Sequence, residues 1–152
     1  MKPYYKVILL TGFIAGSLDL TGAIISSTIM NGKFPSKIFH YIASGIFGKE
    51  AFSGGNIMIL WGLLFHYIIA YAFTFFYFWI FPRIGFLSVN RIASGLLYGA
   101  FVWVIMNRIV VPLSNVTRGP FNITQAVVGM VVLMLMIGLP IAFNAHKYYA
   151  VE

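Results

Sequence analysis

Apolar residues arrive in four long runs, about 7–30, 57–81, 92–111 and 125–143, separated by short stretches where Pro, Gly, Asn and the charged residues collect. A helix rises about 1.5 Å per residue, so each run is long enough to cross a hydrocarbon core about 30 Å thick. The pattern predicts an all-α membrane protein: a four-transmembrane-helix bundle forming a single integral membrane domain over 1–152. Between the first two runs, the segment from Asn31 to Asn56 is too polar to span, and residues 35–47 within it read as a short helix. Pro35 suits a first helical turn, Ile38, Ile42 and Ile46 recur at a four-residue step, and Gly48 suits a C-terminal cap. A short amphipathic or re-entrant helix is therefore expected between the first two spans.

Three of the runs carry a stripe of small and polar residues at three-to-four spacing. The first has Gly12, Gly16, Asp19, Ala23 and Ser26 or Ser27, the second Gly62, His66, Ala70 and Thr74, the third Gly95, Gly99, Trp103 and Asn107. Small side chains let membrane helices approach closely, so Gly12, Gly16, Gly62, Gly95 and Gly99 are expected at helix-packing contacts. The fourth run, with Gly129, Gly138 and Pro140, is apolar all round and reads as lipid-facing scaffold. The glycine faces exceed what four helices need internally, and a homo-oligomer is expected. An Ile-Ala-Ser-Gly string occurs at 42–45 and again at 92–95, in unlike contexts, and reflects biased composition rather than an internal repeat.

Composition strengthens the membrane reading. Hydrophobic residues make up 61% of the chain and charged residues 9%, against about 25% charged in a soluble domain. The surface must face lipid. The formal net charge of +7 does not point to nucleic acid, because the basic residues stand singly at the ends of the apolar runs and form no basic stripe with interleaved aromatics. Membrane lipid is the expected partner. The absence of cysteine excludes disulfides, thiolate metal sites and Cys nucleophiles. The Met1-Lys2-Pro3-Tyr4-Tyr5-Lys6 start resembles a signal peptide, yet the apolar stretch continues to Met30 without a small-x-small cleavage site, so it reads as a retained first helix. Lys2, Lys6, Arg83, Arg91 and Lys147 fall on the side of the termini, and Lys33, Lys37, Lys49, Arg108 and Arg118 on the other. This even division leaves the N-terminal amine to tip the termini toward the cytoplasm.

Candidate chemistry lies on the stripes. Asp19 is roughly 16 Å in from the Asn31 end of its run and His66 roughly 14 Å in from the Ile57 end of its own, at 1.5 Å per residue. Both ends lie on one side of the membrane, so the two ionisable groups reach similar depth on antiparallel helices. Asn107 and Arg108 enter from that side at roughly 7 Å depth, and His40, Glu50 and Arg118 lie in the connections there. This convergence suggests a polar cavity opening away from the termini. An ionised residue at mid-membrane costs about 2.5–3.5 kcal/mol and usually has a partner, often with a function. Asp19, His66, Asn107, Arg108, His40 and Glu50 are therefore the candidate site residues. A transporter or channel-like protein for protons or a small polar solute is the sharper expectation. It competes with an Asp19–His66 or Asp19–Arg108 pair that only locks helices together, in a structural or accessory protein binding lipid or a partner membrane protein.

An enzyme is not expected: three acidic residues leave no paired carboxylates, and no Gly-x-Ser-x-Gly, His-Glu-x-x-His or phosphate loop is present. No cofactor is expected either. A haem or metal site would have to draw on His40, Glu50 and His66, whose spacing matches no metal motif. Finally, Gly12-Phe-Ile-Ala-Gly16, His66, Phe81-Pro82-Arg83-Ile84, Gly95-Leu-Leu-Tyr-Gly99-Ala100 and Pro112-Leu113 together resemble the YagU-like proteins, small multipass bacterial inner-membrane proteins of uncharacterised function. The resemblance touches about half the chain. It implies a bacterial inner-membrane location, and it brings no functional residues.

Overall fold

The computed structural model describes residues 3–150; Lys2 and the Met1 amine, which enter the charge count, lie outside them, as does Glu152. The described residues form helices α1 (Tyr4–Asn31), α2 (Ile38–Phe47), α3 (Asn56–Arg83), α4 (Gly85–Val89), α5 (Arg91–Leu113) and α6 (Ile123–Tyr149). Four of them, α1, α3, α5 and α6, are long and apolar enough to cross a membrane, with α6 the most apolar. The chain is an integral membrane protein. Its outward faces carry Leu9, Phe13, Leu60, Leu64, Ile68, Leu97, Val104 and Val131, all exposed, as expected of surfaces whose solvent is acyl chain.

Helix ends are set by local chemistry. Gly32 closes α1 with φ 66°, a left-handed cap that costs glycine little. Asn90 starts α5, its side-chain oxygen accepting from the Ile92 and Ala93 amides at 2.9 and 3.1 Å, and Asn122 starts α6 through the Gln125 amide at 3.1 Å. Each supplies an acceptor to first-turn amides that have no partner within the helix. The fourth span runs beyond 143 because its last turns stay helical and fold their aromatic residues onto α3. Tyr149 donates to the Phe78 carbonyl at 2.8 Å, and its ring stacks on Phe81 with centroids 4.9 Å apart.

The glycines decide which helices touch. Gly16 of α1 faces Tyr67 and Ala70 of α3, and Gly12 faces the Tyr71 ring. At Gly62 the Phe39 carbonyl of α2 occupies the place a Cβ would take, so α2 lies against the first half of α3. Gly99 receives the backbone of Met134, and Gly95 lies against Gly138 and Ala142, so α5 and α6 pack nearly backbone to backbone. All five glycines are thus engaged within the chain. Round the bundle the order is α3, α1, α6, α5. Between α5 and α3 the contact is made by large side chains: Tyr98 donates to the Phe73 carbonyl at 2.6 Å, and Tyr77 to Ser94 Oγ at 3.1 Å.

Candidate functional site

The aromatic bridge between α3 and α5 sits near the side where α1 begins and α6 ends, here the terminal side. There the core is dense: Tyr77, Phe78, Ile141, Ala142 and Ala145 are fully buried, with Ile8, Phe81, Leu87 and Tyr98 packed among them. Toward the opposite side, which carries α2 and the 114–122 connection, no such α3–α5 bridge is made among the described residues. A cavity of about 1030 Å³ opens there, walled by α1, α3, α5 and α6 and rimmed by α2 and the connection. That connection is tied to the end of α2, the Asn115 amide donating to the Gly45 carbonyl at 3.0 Å and its side chain to the Ile46 carbonyl at 2.8 Å.

Asp19, His66, Asn107 and Arg108 all line this cavity. Counted from the loop-side helix ends at about 1.5 Å per residue, Asp19 is about 18 Å and His66 about 15 Å deep, which places both near mid-membrane. His66 Nε2 lies 2.7 Å from the Gly16 carbonyl oxygen. A carbonyl only accepts, so Nε2 carries the hydrogen and Nδ1 is the atom left to take or release a proton. Gly16 permits this contact, because any side chain there would press on Tyr67 and Ala70. Tyr67 is itself held by a 2.7 Å hydrogen bond between its hydroxyl and Ser17 Oγ, so the imidazole is fixed on a rigid seam. Among the described residues Asp19 makes no hydrogen bond or ion pair. Its half-buried carboxyl faces the cavity.

Asn107 and Arg108 reach the cavity through an irregularity in α5. Over Met106–Val110 the helix widens to a π turn, with the Val111 amide bonding back to the Met106 carbonyl. The next amide in that pattern would serve the Asn107 carbonyl, but residue 112 is proline and has no N–H. Arg118 fills the gap, its Nη2 donating to the Asn107 carbonyl at 2.8 Å. The Asn107 side chain bonds to the Trp103 carbonyl at 2.9 Å. Single π turns concentrate at functional sites because the added residue redirects side chains.

His40 and Glu50 stand apart. His40 Nε2 is 3.2 Å from the Gly55 carbonyl, which ties α2 to the start of α3, and Glu50 is an exposed residue in the turn that follows α2. Neither lines the cavity. Among the described residues no three His, Asp or Glu side chains come together as metal ligands.

The cavity also has members that the candidate set lacks: Arg118, Trp103, Ser26, Tyr41 and Gln125. Trp103 and Ser26 were visible on their stripes. Gln125 belongs to a fainter one, since Gln125, Gly129, Val132 and Leu133 of α6 all face the cavity. The fourth span is therefore a wall of the site and not only lipid-facing scaffold. Comparison with family profiles, with curated proteins and with solved structures finds no match to this chain.

Proposed function

We propose that this protein is a small membrane transporter moving protons or a small polar solute, with Asp19 and His66 as the proton-exchanging pair. Asn107 serves as a hydrogen-bonding ligand and Arg108 as counter-charge. The observation that carries the reading is the cavity reaching from the loop side to an Asp19 carboxyl that, among the described residues, makes no hydrogen bond or ion pair. A pair kept only to lock helices would be packed and mutually bonded, since an unpaired ionisable group at this depth costs several kcal/mol. The sealed terminal half supports a carrier over an open channel. A continuous pore has no room beside Tyr77, Phe78 and Ile141, so passage requires the aromatic seal to part while the loop side closes, the alternating access of secondary transporters.

In this reading α2 lies at the membrane interface or re-enters it, lending Tyr41 and Ile42 to the rim. The resemblance to YagU-like proteins adds a bacterial inner membrane as the location, and the termini are assigned to the cytoplasm. Proteoliposomes with an internal pH dye test the function. A wild-type protein that carries a pH-gradient-driven flux, lost in a folded Asp19→Asn variant, supports it. A variant that changes only the melting temperature favours a structural role.

A further inference from the structure

Donor side chains line the cavity from its loop-side mouth inward. Arg108 is exposed to the cavity and, among the described residues, makes no hydrogen bond, ion pair or ring contact. Arg118 uses one nitrogen on the Asn107 carbonyl, one residue from Arg108, and keeps its remaining N–H groups. Trp103, whose indole can only donate, lines the same wall, and among the described residues its Nε1–H makes no hydrogen bond. Asp19 is the one carboxylate among the lining residues. It lies about 10 Å deeper along the helix axes than Arg108, at 1.5 Å per residue. Between the two levels the wall is largely apolar, with Val102, Met106, Val132 and Leu133, and carries His66, Trp103 and Asn107 among them.

Two guanidinium groups beside a hydrocarbon medium, with no carboxylate lining that end of the cavity, make a strong site for an oxyanion. Arginine's fixed fork of donors matches carboxylate and phosphate oxygens. The volume, about 1030 Å³, is that of a pocket for an organic molecule rather than for a bare ion. We infer that the solute is a small organic anion, a carboxylate or phosphate monoester with an apolar body, held by its charged end at Arg108 and Arg118 with its body against the apolar wall. This inference rests on the transport reading above and gives the pair below a purpose. A proton taken up at Asp19 removes the one negative charge that opposes inward movement of the anion, so proton and anion would travel together.

The test uses the full chain in nanodiscs of neutral phosphatidylcholine, with Trp61 and Trp79 replaced by Phe so that Trp103 alone reports binding. The probes are benzoate and phenyl phosphate, matched in size by benzylammonium and benzyl alcohol. The anions are expected to bind saturably, at least tenfold more tightly than the cation or the alcohol. Arg108→Gln is expected to weaken anion binding at least tenfold, while Lys33→Gln, an equal loss of charge on the same side but outside the cavity, changes it less than twofold. Arg118→Lys, which keeps a donor for the Asn107 carbonyl, separates a folding defect from a binding one. Equal binding of all four probes, or equal losses in the Arg108 and Lys33 variants, overturns the inference. Repeating the titration with phosphatidylglycerol distinguishes the source of the anion: if the anionic lipid abolishes binding of the soluble probes, the site is a headgroup site and the soluble-solute inference fails. A protein that keeps Asp19-dependent proton flux but binds no anion contradicts this inference alone. One that binds anions without such flux contradicts the proton-pair reading instead.

Discussion

At Gly16 a missing side chain does two things at once: it lets α3 approach, and it exposes a carbonyl oxygen that His66 reaches at 2.7 Å. A Cβ there would stand 3.0 Å from Tyr67 Cε1 and 3.1 Å from the Ala70 Cβ, tighter than ordinary packing. Gly16→Ala should therefore lower stability by about 1–3 kcal/mol, the usual cost of overpacking, and displace the imidazole. Gly85→Ala, with nothing in reach of a Cβ, serves as the control, and thermal melts of both in nanodiscs provide the comparison. Similar melting temperatures for the two variants would show that the seam is softer than its geometry implies. A smaller effect belongs to Tyr98→Phe, which keeps the ring but loses the 2.6 Å bond to the Phe73 carbonyl; about 1 kcal/mol is expected.

For the helices as elements, the informative feature is the pairing of π turns with prolines. Met106–Val110 precedes Pro112 and Met134–Gly138 precedes Pro140. A proline ring inside a helix clashes with the carbonyl four residues back, and widening the preceding turn relieves the clash without breaking the helix. In α5 this widening also re-phases Asn107 and Arg108. Restoring an N–H with Pro112→Ala should let the helix regularise. The expected outcome is a higher melting temperature together with a loss of Asp19-dependent flux, because stability gained by regular geometry is taken from the site. Flux unchanged at raised stability would mean that the π turn is not needed. These prolines also mark where sequence reading reached its limit. The four apolar runs set out the spans directly, and the stripes through Asp19, His66 and Asn107 pointed to one side of the membrane. Pro112, however, reads in sequence as the end of the third span, whereas the helix continues to Leu113 because a distant group, Arg118, serves the orphaned carbonyl. The Gln125–Gly129–Val132 face was hidden for a different reason: with one polar residue in an otherwise apolar run, periodicity has little contrast to reveal.

Taken as a whole molecule, the bundle is asymmetric across the membrane. One half is closed by aromatic packing, Tyr4, Phe78, Phe81, Tyr148 and Tyr149 forming a ring cluster, and the other half is splayed around the cavity. Tyr77 is fully buried in the seal, with its ring edge against Tyr98 and centroids 4.6 Å apart. Tyr77→Ala should cost about 3–5 kcal/mol, as truncation of large buried aromatics does, and in the surviving folded fraction it should admit a proton leak that no longer depends on Asp19. A leak-free variant would place the barrier elsewhere. The central claim is narrower: Asp19 lies deep in a water-accessible cavity that opens only on the loop side. With no native cysteine, Ala23→Cys, a cavity-lining position one turn from Asp19 toward the loop side, tests it with a membrane-impermeant thiol reagent. The account predicts rapid labelling when the reagent is on the loop side of oriented vesicles and none when it is on the terminal side. Protection from both sides, or equal labelling from both, would contradict it.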